Sequence, residues 1–149
     1  MSPRRLAWML AALAMASAPL ACALEFRSVN ASGAVLYESP VLSAKKLYVL
    51  SRYYPVEVLS TKEKWARVRD ATGLIAWIPA AALSSQHMVL VVSELAEVRS
   101  SASRSAEVVF SVPRNGVLQL LSSPKNGWAH VRHLDGSSGY VSMTDLWGL

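Results

Sequence analysis

The sequence predicts an all-β protein: two tandem small β-barrels behind an N-terminal signal-peptide helix. Three observations predict it. The chain repeats itself at an offset of 62 to 63 residues, each copy breaks into short alternating apolar segments separated by turn residues, and the first 23 residues carry none of that pattern.

The N-terminus has its own grammar. Met1 to Arg5 is a short basic stretch, and Leu6 to Ser17 is an apolar run of Leu, Ala, Met and Trp. The run is shorter than the roughly 20 residues that a membrane-spanning helix needs. It leads to Ala21-Cys22-Ala23, a small-x-small sequence that fits cleavage after Ala23. Export to the periplasm or the outside, with no membrane span in the mature form, is therefore expected. Cys22 is the only cysteine and leaves with the signal. The alternative, a lipoprotein acylated at Cys22, sits poorly with Pro19-Leu20-Ala21, where the leucine stands one place too close to the cysteine.

Removing 23 of the 149 residues leaves 126, one ordinary domain or two very small ones. The formal charge is +5, and Arg4 and Arg5 supply two of it. A weakly basic mature chain with no concentrated basic stripe argues against nucleic acid and suits acidic cell-envelope partners.

The repeat fixes the domains. Setting Ala34 on Ala96 brings Leu36/Val98, Ala44/Ala106, Leu47/Val109, Tyr48/Phe110, Arg52/Arg114 and Val56/Leu118 into register. One extra residue enters the second copy between Thr61 and Lys125. Beyond it Lys62/Lys125, Trp65/Trp128, Val68/Val131, Gly73/Gly136, Trp77/Tyr140 and Leu83/Leu146 match. The slip falls in a polar loop, where insertions are tolerated. Residues 24–84 and 85–149 are the two expected barrels, with Ser84 to His87 as a linker short enough to hold them together.

Within the first copy the expected strands are Ala34 to Tyr37, Leu47 to Leu50, Val56 to Leu59, Trp65 to Arg69 and Leu74 to Ile78. Asp70 to Gly73 and Leu134 to Ser137 are hairpin connections, the second carrying Asp135-Gly136. Alternation in Trp65-Ala-Arg-Val-Arg69 turns Ala66 and Val68 inward and Trp65, Arg67 and Arg69 outward; Trp128, His130 and Arg132 repeat this. A tryptophan on the charged side of a strand is either a binding surface or a ring folded over the barrel end to close it. Trp147 reads as a plug on the second barrel, because Leu146 stands where Leu83 closes the first.

With Ala96-Glu-Val-Arg99, Trp128-Ala-His-Val-Arg132, Gly136 and Gly139-Tyr-Val141, the second copy resembles the bacterial SH3-like (SH3b) family. The first copy shows the same order in Ala34-Val-Leu-Tyr37, Trp65-Ala-Arg-Val-Arg69, Gly73 and Ala76-Trp-Ile78. The likeness covers nearly the whole mature chain and is greatest to two-copy exported proteins of Gram-negative bacteria. Tyr37 departs from the usual arginine and Ala76 from the usual glycine, and Pro79 gives way to Ser142 in the second copy. The resemblance implies recognition of peptidoglycan peptides or of an envelope protein. By analogy with the proline-peptide grooves of eukaryotic relatives it implies a ligand face of Tyr37, Tyr53 or Tyr54, Trp65 and Pro79, with Arg67 and Trp77 beside them. The second copy keeps only Trp128 and Tyr140 of that set, and Arg132 joins them as a candidate. The first barrel carries more of that set and is the expected binder.

No catalytic, metal or cofactor pattern accompanies this. His130 and His133 are three apart in a strand and diverge, Gly136-Ser-Ser-Gly139 lacks one residue of a nucleophile elbow, and there is no glycine-rich phosphate loop. A non-catalytic binding protein is expected. The alternative is an assembly partner whose aromatic faces hold the barrels, or a dimer, together.

Overall fold

The structure, a computed structural model, describes residues 24–149. The signal-peptide helix and the cleavage point at Ala23 lie outside the described residues. Among the described residues the strands form two seven-stranded antiparallel sheets, one for each copy of the repeat. Among the described residues no helix is long and apolar enough to cross a membrane.

The first sheet comprises β1 (Glu25–Val29), β2 (Ala34–Tyr37), β3 (Lys46–Leu50), β4 (Pro55–Lys62), β5 (Trp65–Arg69), β6 (Ile75–Pro79) and β7 (Leu83–Ser84). Their order is β3-β2-β6-β5-β4-β1-β7. The second sheet comprises β8 (Met88–Val91), β9 (Leu95–Arg99), β10 (Val108–Pro113), β11 (Val117–Leu120), β12 (Trp128–Arg132), β13 (Ser138–Ser142) and β14 (Leu146–Trp147). Its order, β10-β9-β13-β12-β11-β8-β14, is the same path translated one copy along the chain.

Period-two burial builds both cores. Leu36, Val56, Ala66, Val68, Ala76 and Ile78 fill the first, and Val98, Leu118, Ala129, Val131 and Val141 occupy the matching places in the second. The β5–β6 hairpin is set by Asp70, whose carboxylate accepts from Thr72 N–H, Thr72 Oγ1 and Leu74 N–H at 2.9, 2.6 and 3.0 Å. Such an Asx turn closes onto Gly73 at φ +92°, a conformation that glycine adopts without strain.

The sequence reading placed the first strand at Ala34, and the structure adds one before it in each copy. β1 pairs with β4 and β7, and β8 pairs with β11 and β14. Neither alternates in the ordinary way. β8 is buried at all four positions, so Met-Val-Leu-Val shows no polar face to betray a strand.

That double burial has a structural cause. Val89 and Val91 point into the second core. Alternation turns Met88 and Leu90 the other way, onto β1 and β4 of the first barrel. The Ser28 hydroxyl crosses the same junction, donating to Gln86 O at 2.8 Å. Phe26 stacks on His87 at 5.8 Å and meets Trp147 in a T-shaped contact at 5.4 Å. Trp147 is therefore not a plug on the second barrel. In the two-residue β14, Leu146 takes the inward position, and the outward side of the strand is the side facing the first barrel.

Candidate ligand-binding grooves

The twin tryptophans sit at the same place in the two folds. Trp65 begins β5 opposite Pro79, and Trp128 begins β12 opposite Ser142. Ala66 and Val68, like Ala129 and Val131, are buried behind them, so both indoles stand on the outer face, half covered.

Register gathers five of the expected residues on one face of the first barrel. Trp77 lies opposite Tyr37 on one side and Arg67 on the other, and Pro79 lies opposite Trp65. The Tyr37 ring meets Trp65 edge-to-face at 5.4 Å and is only 8 % exposed. That contact fills the space beside the indole. Arg67 is exposed and Trp77 half buried.

Tyr53 and Tyr54 are elsewhere, in the turn between β3 and β4. The Tyr53 N–H donates to Val29 O at 2.8 Å and its backbone takes φ +70°, with the Arg52 guanidinium 4.9 Å from the ring centre. The Tyr54 ring packs on the first core, and its hydroxyl accepts from Ala71 N–H at 3.3 Å. Burial pushes the Tyr54 phenol above its usual pKa, and the nearby Asp70 carboxylate adds to the rise against the lowering effect of the Ala71 bond.

The second barrel replaces Tyr37 by Arg99, and the face opens. Arg99 donates instead to Ala106 O at 2.8 Å and pairs with Glu97. Trp128 then lines two grooves. One, about 420 Å³, is bounded by Ala102, Ser122, Ser123, Lys125, Asn126, His130 and Tyr140. The other, about 320 Å³, is bounded by Leu95, Glu97, Arg99, Arg104, Ser142, Thr144 and Asp145. His130 and Tyr140 lie flat on one another, 4.6 Å apart at 10°, and form a rigid aromatic wall to the first groove. Arg132 stands four residues along β12 from Trp128, about 13 Å at the rise of a strand, and lines neither groove. His133 lies beyond the strand beside Asp135, whose carboxyl is held below its usual range by the Ser137 N–H and hydroxyl.

The first groove owes its outer wall to the one-residue insertion. In the first barrel β4 stays paired with β5 as far as Lys62, past an irregularity between Val58 and Ser60, and turns through Glu63 and Lys64 into Trp65. In the second, β11 ends at Leu120 and the ladder resumes only as a single Lys125–Trp128 bridge. Pro124 has no N–H to give a ladder, and Asn126 (φ +52°) and Gly127 (φ +85°) make the tight turn. Ser122 to Pro124 therefore leave the ladder, and Ser122, Ser123, Lys125 and Asn126 line the groove as a polar wall.

Sequence reasoning named Trp128 and Tyr140 but missed the rest of this surface. Two signals pointed to it: the register slip at this loop, and the Tyr37-to-Arg99 exchange beside the tryptophan. Each was visible as a difference between copies rather than as a motif.

A comparison with curated protein sequences returned no match. Among solved structures, NlpC2 from Trichomonas vaginalis is similar at 22 % identity and a TM-score of 0.38, covering 83 % of this chain and 48 % of its own. An NlpC/P60 family protein from Bacillus cereus is similar at 16 % identity and a TM-score of 0.37, covering 82 % of this chain and 55 % of its own. The chain thus spans about half the length of these proteins. The sequence profile of the bacterial SH3 domain matches twice, at residues 32–84 and 94–146, one match on each sheet. The chain belongs to the bacterial SH3 domain family and carries two tandem copies of it.

Proposed function

We propose that this is an exported, non-catalytic binding protein that holds peptidoglycan peptides on the second barrel, with Trp128 as its anchor. The observation that carries the reading is the pair of grooves on either side of that indole. A half-covered tryptophan between two concave surfaces offers broad contact at small entropic cost. The flanking groups suit a short peptide with charges of both signs. Lys125 stands in one groove, and Arg99 and Arg104 face Glu97 and Asp145 in the other. A peptide carboxylate and a side-chain amine both find partners there. Family membership supports the reading at the level of the fold, and the grooves supply the location.

Retention on purified sacculi tests it. The wild type is expected to co-sediment. Trp128→Ala should lose about 2 kcal/mol of binding, roughly thirtyfold in affinity. Trp65→Ala should stay near wild type, because that indole is already engaged by Tyr37. Failure of the wild type to sediment, or equal loss in both variants, refutes the assignment.

The reading in which the aromatic faces hold the barrels together draws less support. Phe26, His87 and Trp147 join the barrels, while Trp65 and Trp128 stand away from the junction.

A further inference from the structure

The loop joining β2 to β3 differs between the copies in a way the fold does not require. In the first barrel its tip exposes two aliphatic side chains, Val41 at 50 % and Leu42 at 72 %. Leu42 is the most exposed large hydrophobic residue among those described. The tip is not loose: Val41 N–H donates to Ser39 O at 2.8 Å and Ala44 N–H to Val41 O at 3.1 Å, so local turns hold these side chains outward. Lys45 and Lys46 follow after Ser43 and Ala44, both exposed, and Tyr48 is 62 % exposed on the same hairpin. Glu38 sits at the foot of the loop, yet among the described residues neither lysine lies within an ion pair's reach of a carboxylate.

The second barrel carries the same loop with Ser103, Arg104 and Glu107 at the positions of Val41, Leu42 and Lys45. Ser103 Oγ and Ser105 Oγ are bonded to each other at 2.9 Å, and Arg104 lines the groove beside Trp128. One fold therefore accommodates a polar tip as well as an apolar one.

We propose that the β2–β3 tip of the first barrel is a contact for an anionic lipid surface. Val41 and Leu42 enter the interface, Lys45 and Lys46 lie against the headgroups, and Tyr48 stands at the polar boundary. A protruding apolar apex backed by unpaired cations and a tyrosine is the distribution that interfacial anchoring selects. These aliphatic groups are exposed on a loop held by its own turns, and the charge that follows them is complementary to acidic headgroups.

Flotation with vesicles tests this, using residues 24–149, which contain both complete sheets and both cores. The vesicles are phosphatidylethanolamine with phosphatidylglycerol, and phosphatidylcholine alone as the neutral control. The wild type is expected to float with the anionic vesicles and to stay down with the neutral ones. The Val41→Ser, Leu42→Arg double variant borrows the residues of the second barrel, and circular dichroism confirms that it folds. It should bind at least about tenfold more weakly, since losing one inserted aliphatic side chain accounts for that much. Leu42→Arg adds positive charge, so unchanged or tighter binding by the double variant overturns the proposal. Equal flotation with both vesicle types, or none with either, also overturns it. Trp128→Ala should leave flotation unchanged, which separates this surface from the peptide-binding grooves; loss of flotation in that variant would count against the assignment to the loop.

Discussion

Removing the indole of Trp147 tests whether the two barrels behave as one body. The ring meets Phe26 of the first barrel edge-to-face at 5.4 Å while its own strand belongs to the second. A fully covered tryptophan buries roughly 150–250 Å². Half of that, at about 25 cal/mol per Å², gives roughly 2–3 kcal/mol for Trp147→Ala. If both barrels unfold together, the unfolding entropy is about 2.1 cal/mol/K per residue, and the loss lowers Tm by roughly 8–11 °C. Phe26→Ala removes the same contact from the other side. The double variant should therefore cost less than the sum of the singles by about 0.5–1.5 kcal/mol, the usual coupling of an aromatic pair. Scanning calorimetry with a denaturant series measures all four proteins, and the wild type should show one transition. Additivity of the two singles within about 0.3 kcal/mol, or separate transitions in the wild type, would refute the reasoning.

Three further outcomes follow from local geometry. Gly139→Ala should cost about 1–3 kcal/mol in thermal unfolding, because a Cβ there would stand 2.6 Å from Arg99 O and 2.7 Å from Val98 Cγ1. Tyr53, at φ +70°, occupies the place of Asn115, at φ +69°; Tyr53→Asn should leave stability within about 0.5 kcal/mol, while Tyr53→Val should lose about 1–2 kcal/mol. Tyr54 should ionise above the ordinary phenol range in an ultraviolet titration, and Tyr54→Phe should abolish that late step. Since its folded pKa lies above the unfolded value, the stability it confers is complete below about pH 10 and is lost as pH rises through the folded pKa.

The architecture was legible because duplication supplied its own alignment. Period two in Trp65–Arg69 and Trp128–Arg132 gave the buried and outer faces correctly, and the turn at Asp70–Gly73 announced itself through residue types that favour it. β8 was hidden because burial between two barrels erases alternation, and β1 because only the pairing with β4 makes Glu-Phe-Arg-Ser-Val a strand. The site was harder for a different reason. A groove is a relation between loops, and no residue type spells it. Tyr37 and Trp65 look like a richer ligand face than Arg99 and Trp128, yet two large rings close enough to touch fill the space that a ligand needs. Aromatic content measures what could line a site, and only the contact between rings tells whether the space beside them is left open.

The two barrels therefore divide by small exchanges on one shared plan. Tyr37 packs on Trp65 in the first barrel, whereas Arg99 turns to Ala106 O and Glu97, and half-covered Trp128 lines a groove on either side. The extra residue before Lys125 lifts a polar wall beside that indole. In the β2–β3 loop the exchange runs the other way: the first barrel keeps the apolar, cationic tip and the second gives Arg104 to its groove. These exchanges sit on loops and outer faces, where the cores of both barrels constrain them least. The junction built from Phe26, Met88, Leu90 and Trp147 fixes the two surfaces relative to each other. A rigid pair can then meet two different partners at a set spacing, which a flexible linker would not hold. Trp147→Ala should accordingly weaken simultaneous capture of vesicles and sacculi more than it weakens either alone. Equal losses in the single and the joint assays would show that the junction serves stability only.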